Sequence, residues 1–415
     1  MRILHTSDWH LGQHFMGKSR APEHAAFLAW LLDQIESHKV DALIVAGDVF
    51  DTGAPPSYAR EMYNRFIVDM QSKQCELVVL GGNHDSVATL NESKDLLACL
   101  NTRVISGVME NTDDQVITLK NRAGEVGAIL CAIPFIRPRD VMQSQAGQSA
   151  KDKQQAMQQA ISDHYLHLYN HALLIKKQLK QDLPIIATGH LTTVNAKTSD
   201  SVREIYIGTL DAFPASAFPP ADYIALGHIH QSQLVAKSQH IRYSGSPIAL
   251  SFDETSKKKA KSVLLVDFEN GKFSQANPLE VPCFQPMQVI KGNLETIETQ
   301  LSSLLDDSDL QEGQTIWLEI IVSSQDYLDD LQSRLQKMTE DLPVEILLLR
   351  RERNKRSSPS DAIEKETLNE LSVDDVFARR LAEERWESDE ETQRAKRLTL
   401  LFKQVVNELA QGEKE

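Results

Sequence analysis

Asp8-Trp9-His10, Gly47-Asp48, Gly82-Asn83-His84-Asp85, Gly189-His190 and Gly227-His228-Ile229-His230 are five short stretches in which side chains able to bind a metal or move a proton directly follow an apolar run. Taken singly each is weak, because a lone histidine is more often a surface or core residue than a ligand, and neither Asp-x-His nor His-x-His is specific by itself. Their joint occurrence, mostly just after a glycine, is not what chance gives. Residues two apart on extended chain face the same side, so the members of the Asp8/His10 and His228/His230 pairs can reach one cavity. Glycine ahead of Asp48, Asn83, His190 and His228 is expected to let the backbone turn sharply and approach what is bound. His5, His164, His167 and His171 lack such placement and read as structural or solvated.

Asp8, His10, Asp48, Asn83, His190, His228 and His230 supply too many donors for one four-coordinate zinc and suit two ions sharing a bridging carboxylate. With two carboxylates against two divalent cations the site keeps net positive charge and attracts an anion, phosphate being the obvious one. Two ions roughly 3.5–4 Å apart lower the pKa of a bridging water and clamp phosphoryl oxygens during in-line displacement. His84 is left over from the ligand count. Beside Asn83, it is placed to protonate a leaving oxygen or stabilise transition-state charge, and Asp85 is expected to orient its ring.

The elements that must position these groups are short apolar strands alternating with helical stretches, the pattern of a layered α/β domain. Strands are expected at Arg2–Thr6, Ala42–Gly47, Glu76–Gly81, Pro184–Gly189 and Tyr223–Gly227, with weaker ones in QVITL, GAILCAIPF, IRYSG and SVLLVDF. Phe27, Trp30, Leu31 and Ile35 mark a helix from about Glu23 to His38. In such a fold ligands collect beyond the C-terminal ends of the buried strands, where all five stretches fall. A small α+β unit begins near Val281, with strands QVIKG, Ile316–Val322 and Glu345–Arg350 and a helix around Tyr327 to Met338. Arg351–Ser360 is polar, ends in Ser-Pro-Ser and reads as a linker. Two amphipathic helices come next, opened by Ser372/Asp375 and Ser388/Glu391 and striped by Val373, Val376, Phe377 and Leu381, then by Leu398, Leu401, Phe402, Val405 and Leu409.

Composition bounds the rest. A net charge of −15 argues against a general nucleic-acid coat protein. Roughly the first 280 residues are near balance, however, which leaves a DNA-contacting N-terminal part allowed. No apolar run approaches a bilayer span, and the opening residues read as strand and loop rather than as a signal sequence, so a cytoplasmic protein is expected. Cys75, Cys99, Cys131 and Cys283 lack CxxC spacing, lie in or beside apolar stretches and read as buried reduced thiols.

The set DWH, GDVFD, GNHD, GH and GHIH resembles the calcineurin-like metallophosphoesterases. The wider text, including MRILHTSDWHLGQ, IVAGDVFDTGAPPSYAR, GNHDSVATLNES, IPFIRPRD and IYIGTLDAFP, is similar to the nuclease subunits of the bacterial SbcCD complex over essentially the whole chain. The resemblance implies a layered metallophosphoesterase β-sandwich flanked by helices at 1–280, a small α+β capping domain at 281–350 that presents DNA, a linker at 351–360 and a helical segment at 361–415 docking on the SbcC ATPase. It places Asp8, His10, Asp48 and His230 on one ion and Asp48, Asn83, His190 and His228 on the other, with His84 as the catalytic histidine and manganese as the preferred metal. The implied activities are ATP-dependent 3′ to 5′ exonuclease action on duplex DNA and cleavage of hairpins and single strands. The implied assembly is a homodimer within a two-plus-two heterotetramer. Archaeal and eukaryotic relatives commonly carry His where this chain has Asp51, so a second catalytic histidine is not expected. A protein phosphatase on the same scaffold fits less well, since those usually follow Gly-Asn-His with Glu and grip a phosphomonoester with arginines. A non-catalytic DNA tether would not need a complete ligand set.

Overall fold

The structure, a computed structural model, describes residues 1–352 apart from 143–148, 204, 206–209, 211, 256–259, 305–309, 311–312 and 324–330, and beyond them Arg397 alone. The chain divides into a compact unit Met1–Glu352 and a second, Arg353–Glu415. The two C-terminal helices and nearly all of the linker expected from sequence lie outside the described residues.

Every strong strand expected from sequence forms, within a residue at either end: Arg2–Thr6, Ala42–Ala46, Glu76–Leu80, Ile185–His190 and Tyr223–Gly227. They belong to two six-stranded sheets. In the first, Arg2–Thr6, Ala42–Ala46, Glu76–Leu80 and Thr102–Ile105 run parallel, and Ser262–Glu269 with Lys272–Glu280 adds an antiparallel edge. In the second, Val126–Cys131, Ile185–His190, Tyr223–Gly227 and Ile241–Tyr243 run parallel, with Val116–Lys120 antiparallel to the first of them.

The central strands are largely apolar, Ala42–Ala46 without interruption and Glu76–Leu80 after its first residue, because both of their faces are buried. Ala42, Ile44, Ala46, Val78 and Leu80 point inward and meet Ala128, Leu130, Ile186 and Ala225 of the other sheet. Leu43, Val45, Leu77 and Val79 point outward against Phe27, Leu31 and Ile35 of the helix Ala21–Ser37 and Phe66 and Ile67 of Ser57–Met70. The outer face of the second sheet is covered by Met157, Ile161, Tyr165 and Leu168 of the long helix Ala150–Leu179, opened by a Ser149/Asp152 capping box. The result is a β-sandwich between helical layers, with the parallel strands delivering their C-terminal ends to one edge. Among the described residues no helix is long and apolar enough to cross a membrane.

Beyond the sandwich, Met287–Gly292, Ile316–Val322 and Val344–Arg351 form a parallel three-stranded sheet. Its crossovers are the helices Leu294–Leu304 and Leu331–Thr339, which bury Ile297, Leu301 and Leu335 on Ile290, Leu318 and Ile320. At another contact, Met287 and Trp317 pack on Phe15 and Phe252 of the sandwich unit. The wholly buried Arg20 guanidinium lies 5.6 Å from the Phe15 ring centre and 5.5 Å from that of Trp317, donating to Glu23 Oε2 at 2.5 Å and to the Ala249 carbonyl at 2.8 Å.

One composition reading needs correction. Cys75 and Cys131 are buried free thiols, but Cys99 and Cys283 are exposed. Cys99 caps the short helix Lys94–Ala98 on the outer surface, and Cys283 lies in the connection leaving the strand that ends at Glu280, so apolar neighbours in sequence did not mean an apolar environment.

Two histidines belong to the fold rather than to the site. His5 is fully buried with its Nδ1 3.0 Å from the Tyr223 hydroxyl, and burial pushes its pKa down to about 3. His24 is also fully buried, and burial, then the Arg20 charge, pushes it down to about 3. Unfolded, each would take up a proton near 6.5, so their contribution is complete above that value and is lost as pH falls from 6.5 toward 3. Lowering the pH from 7 to 5 should therefore cost about 2 kcal/mol per group. Denaturant midpoints at the two pH values measure this, and a His5→Gln chain should show the shallower dependence.

Candidate metal centre

The seven side chains singled out by sequence meet at the edge where the parallel strands end. Asp8 and His10 come after Arg2–Thr6, Asp48 after Ala42–Ala46 and Asn83 after Glu76–Leu80; His190 is the last residue of its strand, and His228 and His230 come after Tyr223–Gly227. Apart from Asn83, which is half-buried, all are buried. Among the described residues, three overlapping groups have ligand atoms within 4.8 Å of one another: Asp8 with His10 and His230, His10 with Asp48 and His84, and Asp48 with His190 and His228. Asp48 is common to the last two. Its Oδ2 lies 3.7 Å from His10 Nε2 and 3.2 Å from His190 Nε2, and Asn83 Oδ1 lies 2.9 Å from His190 Nε2 and 3.1 Å from His228 Nδ1.

The donor chemistry fits divalent cations. It is a mixed nitrogen and oxygen set without thiolate. Among the described residues, His10 Nε2 and His228 Nε2 are buried with no hydrogen-bond partner, an arrangement that costs free energy unless something else satisfies it. Second ring nitrogens are tied back in the manner of ligands: His10 Nδ1 lies 3.1 Å from Asp51 Oδ1, His190 Nδ1 2.9 Å from the Ala46 carbonyl, and His230 Nδ1 3.2 Å from Glu254 Oε1. Burial alone would raise the Asp48 carboxyl, but the neighbouring His190 and His10 hold it well below the usual carboxylate range. Burial opposes protonation of His190, yet the Asp48 charge prevails and takes it up to about 9. Protons therefore compete with cations for this pocket.

The backbone contributes in a way the sequence anticipates only in part. Of the four glycines ahead of ligands, Gly47 alone has a left-handed φ, +93°. Gly82 and Gly189 are needed for room: a Cβ on Gly82 would come 2.1 Å from Asp48 Oδ1, and one on Gly189 2.1 Å from the Tyr165 hydroxyl. The left-handed conformation falls instead on the ligand-type residues themselves, Asp8 at φ 55°, His10 at 49°, Asp48 at 51° and His228 at 93°. Such positions persist in non-glycine residues only where the surroundings over-determine them.

His84 stands at the mouth, its ring centre 4.6 Å from that of His10. Its backbone N–H donates to Asp48 Oδ1 at 2.9 Å, and its Nδ1 lies 2.7 Å from the Asp51 carbonyl. Asp85 does not orient this ring, contrary to the sequence expectation. Its two oxygens accept the backbone N–H groups of Val49 at 3.1 Å, Phe50 at 3.0 Å and Gly82 at 2.8 Å, so the carboxylate points into the fold and pins the Asp48 loop to the Asn83 loop. Burial and then the Asp48 charge push Asp85 up to about 6. The ring-orienting role falls to Asp51, whose carbonyl holds His84 and whose side chain holds His10. Asp51 stands in the GDVFD run, where the sequence marks it only as a departure from other relatives, and Glu254, behind His230, sits in no motif.

Of the histidines set aside from sequence, none enters the centre. His164 is buried in the long helix, and His167 Nε2 lies 2.9 Å from Asp113 on the surface.

Comparison with known proteins gives the family. The calcineurin-like phosphoesterase family matches residues 1–232, and a family described as the type 5 capsule protein repressor C-terminal domain matches residues 283–385. The chain is 55% identical over its whole length, and over the whole of the relative, to the D subunit of the nuclease SbcCD from Escherichia coli (strain K12). It is 30% identical to the proteins of the same name from Rhodobacter capsulatus, across 87% of this chain and 90% of that one, and from Bacillus subtilis, across 81% and 83%. A buried, two-sheet cluster of aspartates and histidines on a phosphoesterase scaffold, with likeness of this extent, places the chain in the SbcD family of SbcCD nuclease components, a branch of the calcineurin-like phosphoesterases.

Proposed function

We propose that Asp8, His10, Asp48 and His230 hold one divalent cation, that Asp48, Asn83, His190 and His228 hold a second, and that the centre hydrolyses DNA phosphodiesters. The observation carrying this reading is the place of Asp48, which shares one group with His10 and His84 and another with His190 and His228, while His10 also belongs to the group of Asp8 and His230. Manganese is the metal implied by the likeness to the SbcD relatives, and a mixed nitrogen and oxygen donor set without thiolate is compatible with it. Bound there, the pair would supply the charge that activates a water and polarises a phosphoryl oxygen.

The chain's own residues do the rest. Asp85 and the left-handed backbone fix the ligand loops, so positioning is complete before substrate arrives. With Nδ1–H donated to the Asp51 carbonyl, His84 presents Nε2 to the mouth. Burial lowers the pKa of His84, and the approach of a phosphodiester anion offsets that by favouring the imidazolium, which passes its Nε2 proton to the leaving oxygen.

Likeness to the SbcD relatives supports a wider assignment: an ATP-dependent 3′ to 5′ duplex exonuclease and hairpin and single-strand endonuclease, acting in the cytoplasm as a homodimer with two copies of the SbcC ATPase. In this division of the chain 1–280 is the nuclease domain, 281–350 the cap, 351–360 the linker and 361–415 the ATPase-docking segment. The apolar stripes of the last segment need a partner surface to bury them. Removing residues 357–415 should abolish copurification with the SbcC ATPase while leaving manganese-dependent cleavage of a simple phosphodiester within about threefold of the full chain. Hairpin DNA cleavage by the reconstituted complex tests the assignment as a whole; retained copurification would refute the docking role, and absence of hairpin cleavage the substrate.

A further inference from the structure

Glu254 ends the one-turn helix Phe252–Glu254 and is buried directly behind His230. Its Oε1 lies 3.2 Å from His230 Nδ1 and accepts from the Ser199 hydroxyl at 2.7 Å, from Ser251 at 3.3 Å and from Ser201. Its Oε2 accepts from Lys261 Nζ at 2.5 Å, the Leu250 N–H at 3.0 Å and the Ser246 hydroxyl at 3.3 Å. Ser201 Oγ is itself 2.6 Å from His230 Nδ1.

This arrangement fixes where the imidazole proton sits. A carboxylate paired with Lys261 has no proton to give and can only accept. Ser201 gives its hydroxyl proton to Glu254 and so turns a lone pair toward His230. Both neighbours of Nδ1 are therefore acceptors, Nδ1 must carry the hydrogen, and Nε2 is left as a lone pair for the group shared with Asp8 and His10. A carboxylate behind an imidazole also raises its basicity as a ligand. His10, in the same group, is backed by Asp51 at 3.1 Å, whereas His190, in the other, is backed by the neutral Ala46 carbonyl at 2.9 Å. The two positions are thus supported unequally.

We propose that Glu254 is a positioning residue specific to the Asp8–His10–His230 cation position, setting the tautomer and donor strength of His230 and leaving the Asp48–His190–His228 position unaffected. The proposal rests on the two-cation reading above. The test is calorimetric titration of the full chain with manganese chloride, with electron paramagnetic resonance to detect the spin-coupled pair. Glu254→Gln should weaken one of two binding steps by about 10- to 100-fold, leave the other within threefold, and lose the coupled signal at manganese concentrations that saturate the unaltered chain. Since Glu254→Gln leaves the half-buried Lys261 without its carboxylate partner, the double variant Glu254→Gln/Lys261→Met removes both charges and should show the same selective loss. Equal weakening of both steps, or of neither, in the folded double variant would overturn the proposal. An unaltered chain that binds one ion or none would instead sink the two-cation reading itself.

Discussion

Asp48→Asn should bring manganese-dependent hydrolysis down by at least about 10³-fold, the largest loss expected of any single substitution, and should do so by emptying the centre. Asp48 Oδ2 faces His10 on one side and His190 on the other, so one oxygen serves both groups. Asparagine keeps the shape and can still accept the His84 N–H, but it removes the negative charge between the two proposed cation positions. The packing admits little else, because the Gly82 backbone closes on the carboxylate. Manganese binding to the variant should weaken at both positions together. A variant that still bound two ions with unchanged affinity would show that Asp48 does not bridge.

His84→Gln is expected to lower hydrolysis by about 10²- to 10⁴-fold, the range for loss of a positioned proton donor, through the opposite route. The glutamine amide can donate to the Asp51 carbonyl in place of Nδ1–H and keep the loop in place, but it has no titratable proton to pass to the leaving oxygen. Binding of both cations should persist with affinities near those of the unaltered chain. The diagnostic is the contrast with Asp48→Asn: one variant keeps its metal and loses the reaction, the other loses both. If His84→Gln also lost manganese, the histidine would be a ligand, as its place in a group with His10 and Asp48 allows chemically.

The candidate ligand positions are legible in the sequence because two simple regularities coincide. The strands are buried on both faces, so ALIVA and LVVL read as unbroken apolar runs, and the fold puts the residues after such runs at one edge. The helix Ala150–Leu179 escapes a sequence reading, although Met157, Ile161, Tyr165 and Leu168 recur at helical spacing, because most of its surface is polar. Leu294–Leu304 escapes as well, its Leu294, Ile297, Leu301 and Leu304 coming after a strand with only one residue between. Asp85 misleads for a different reason. Adjacency to His84 suggests a hydrogen bond, but neighbours on a tight turn point apart, and the carboxylate finds three backbone N–H groups instead. Glu254 cannot be found from sequence at all, since its role depends on a contact between residues 24 apart that no spacing rule encodes.

The left-handed backbone at Asp8, His10, Asp48 and His228 bears on transplantation. Each such residue costs on the order of 1–2 kcal/mol relative to relaxed chain, and here the sandwich imposes that geometry from both sides. Grafting the seven side chains onto an idealised host, whose loops avoid positive φ, would reproduce the residue types while aiming four of them elsewhere. A working copy of this centre has to borrow the loops and the strand ends that hold them, and not merely the letters.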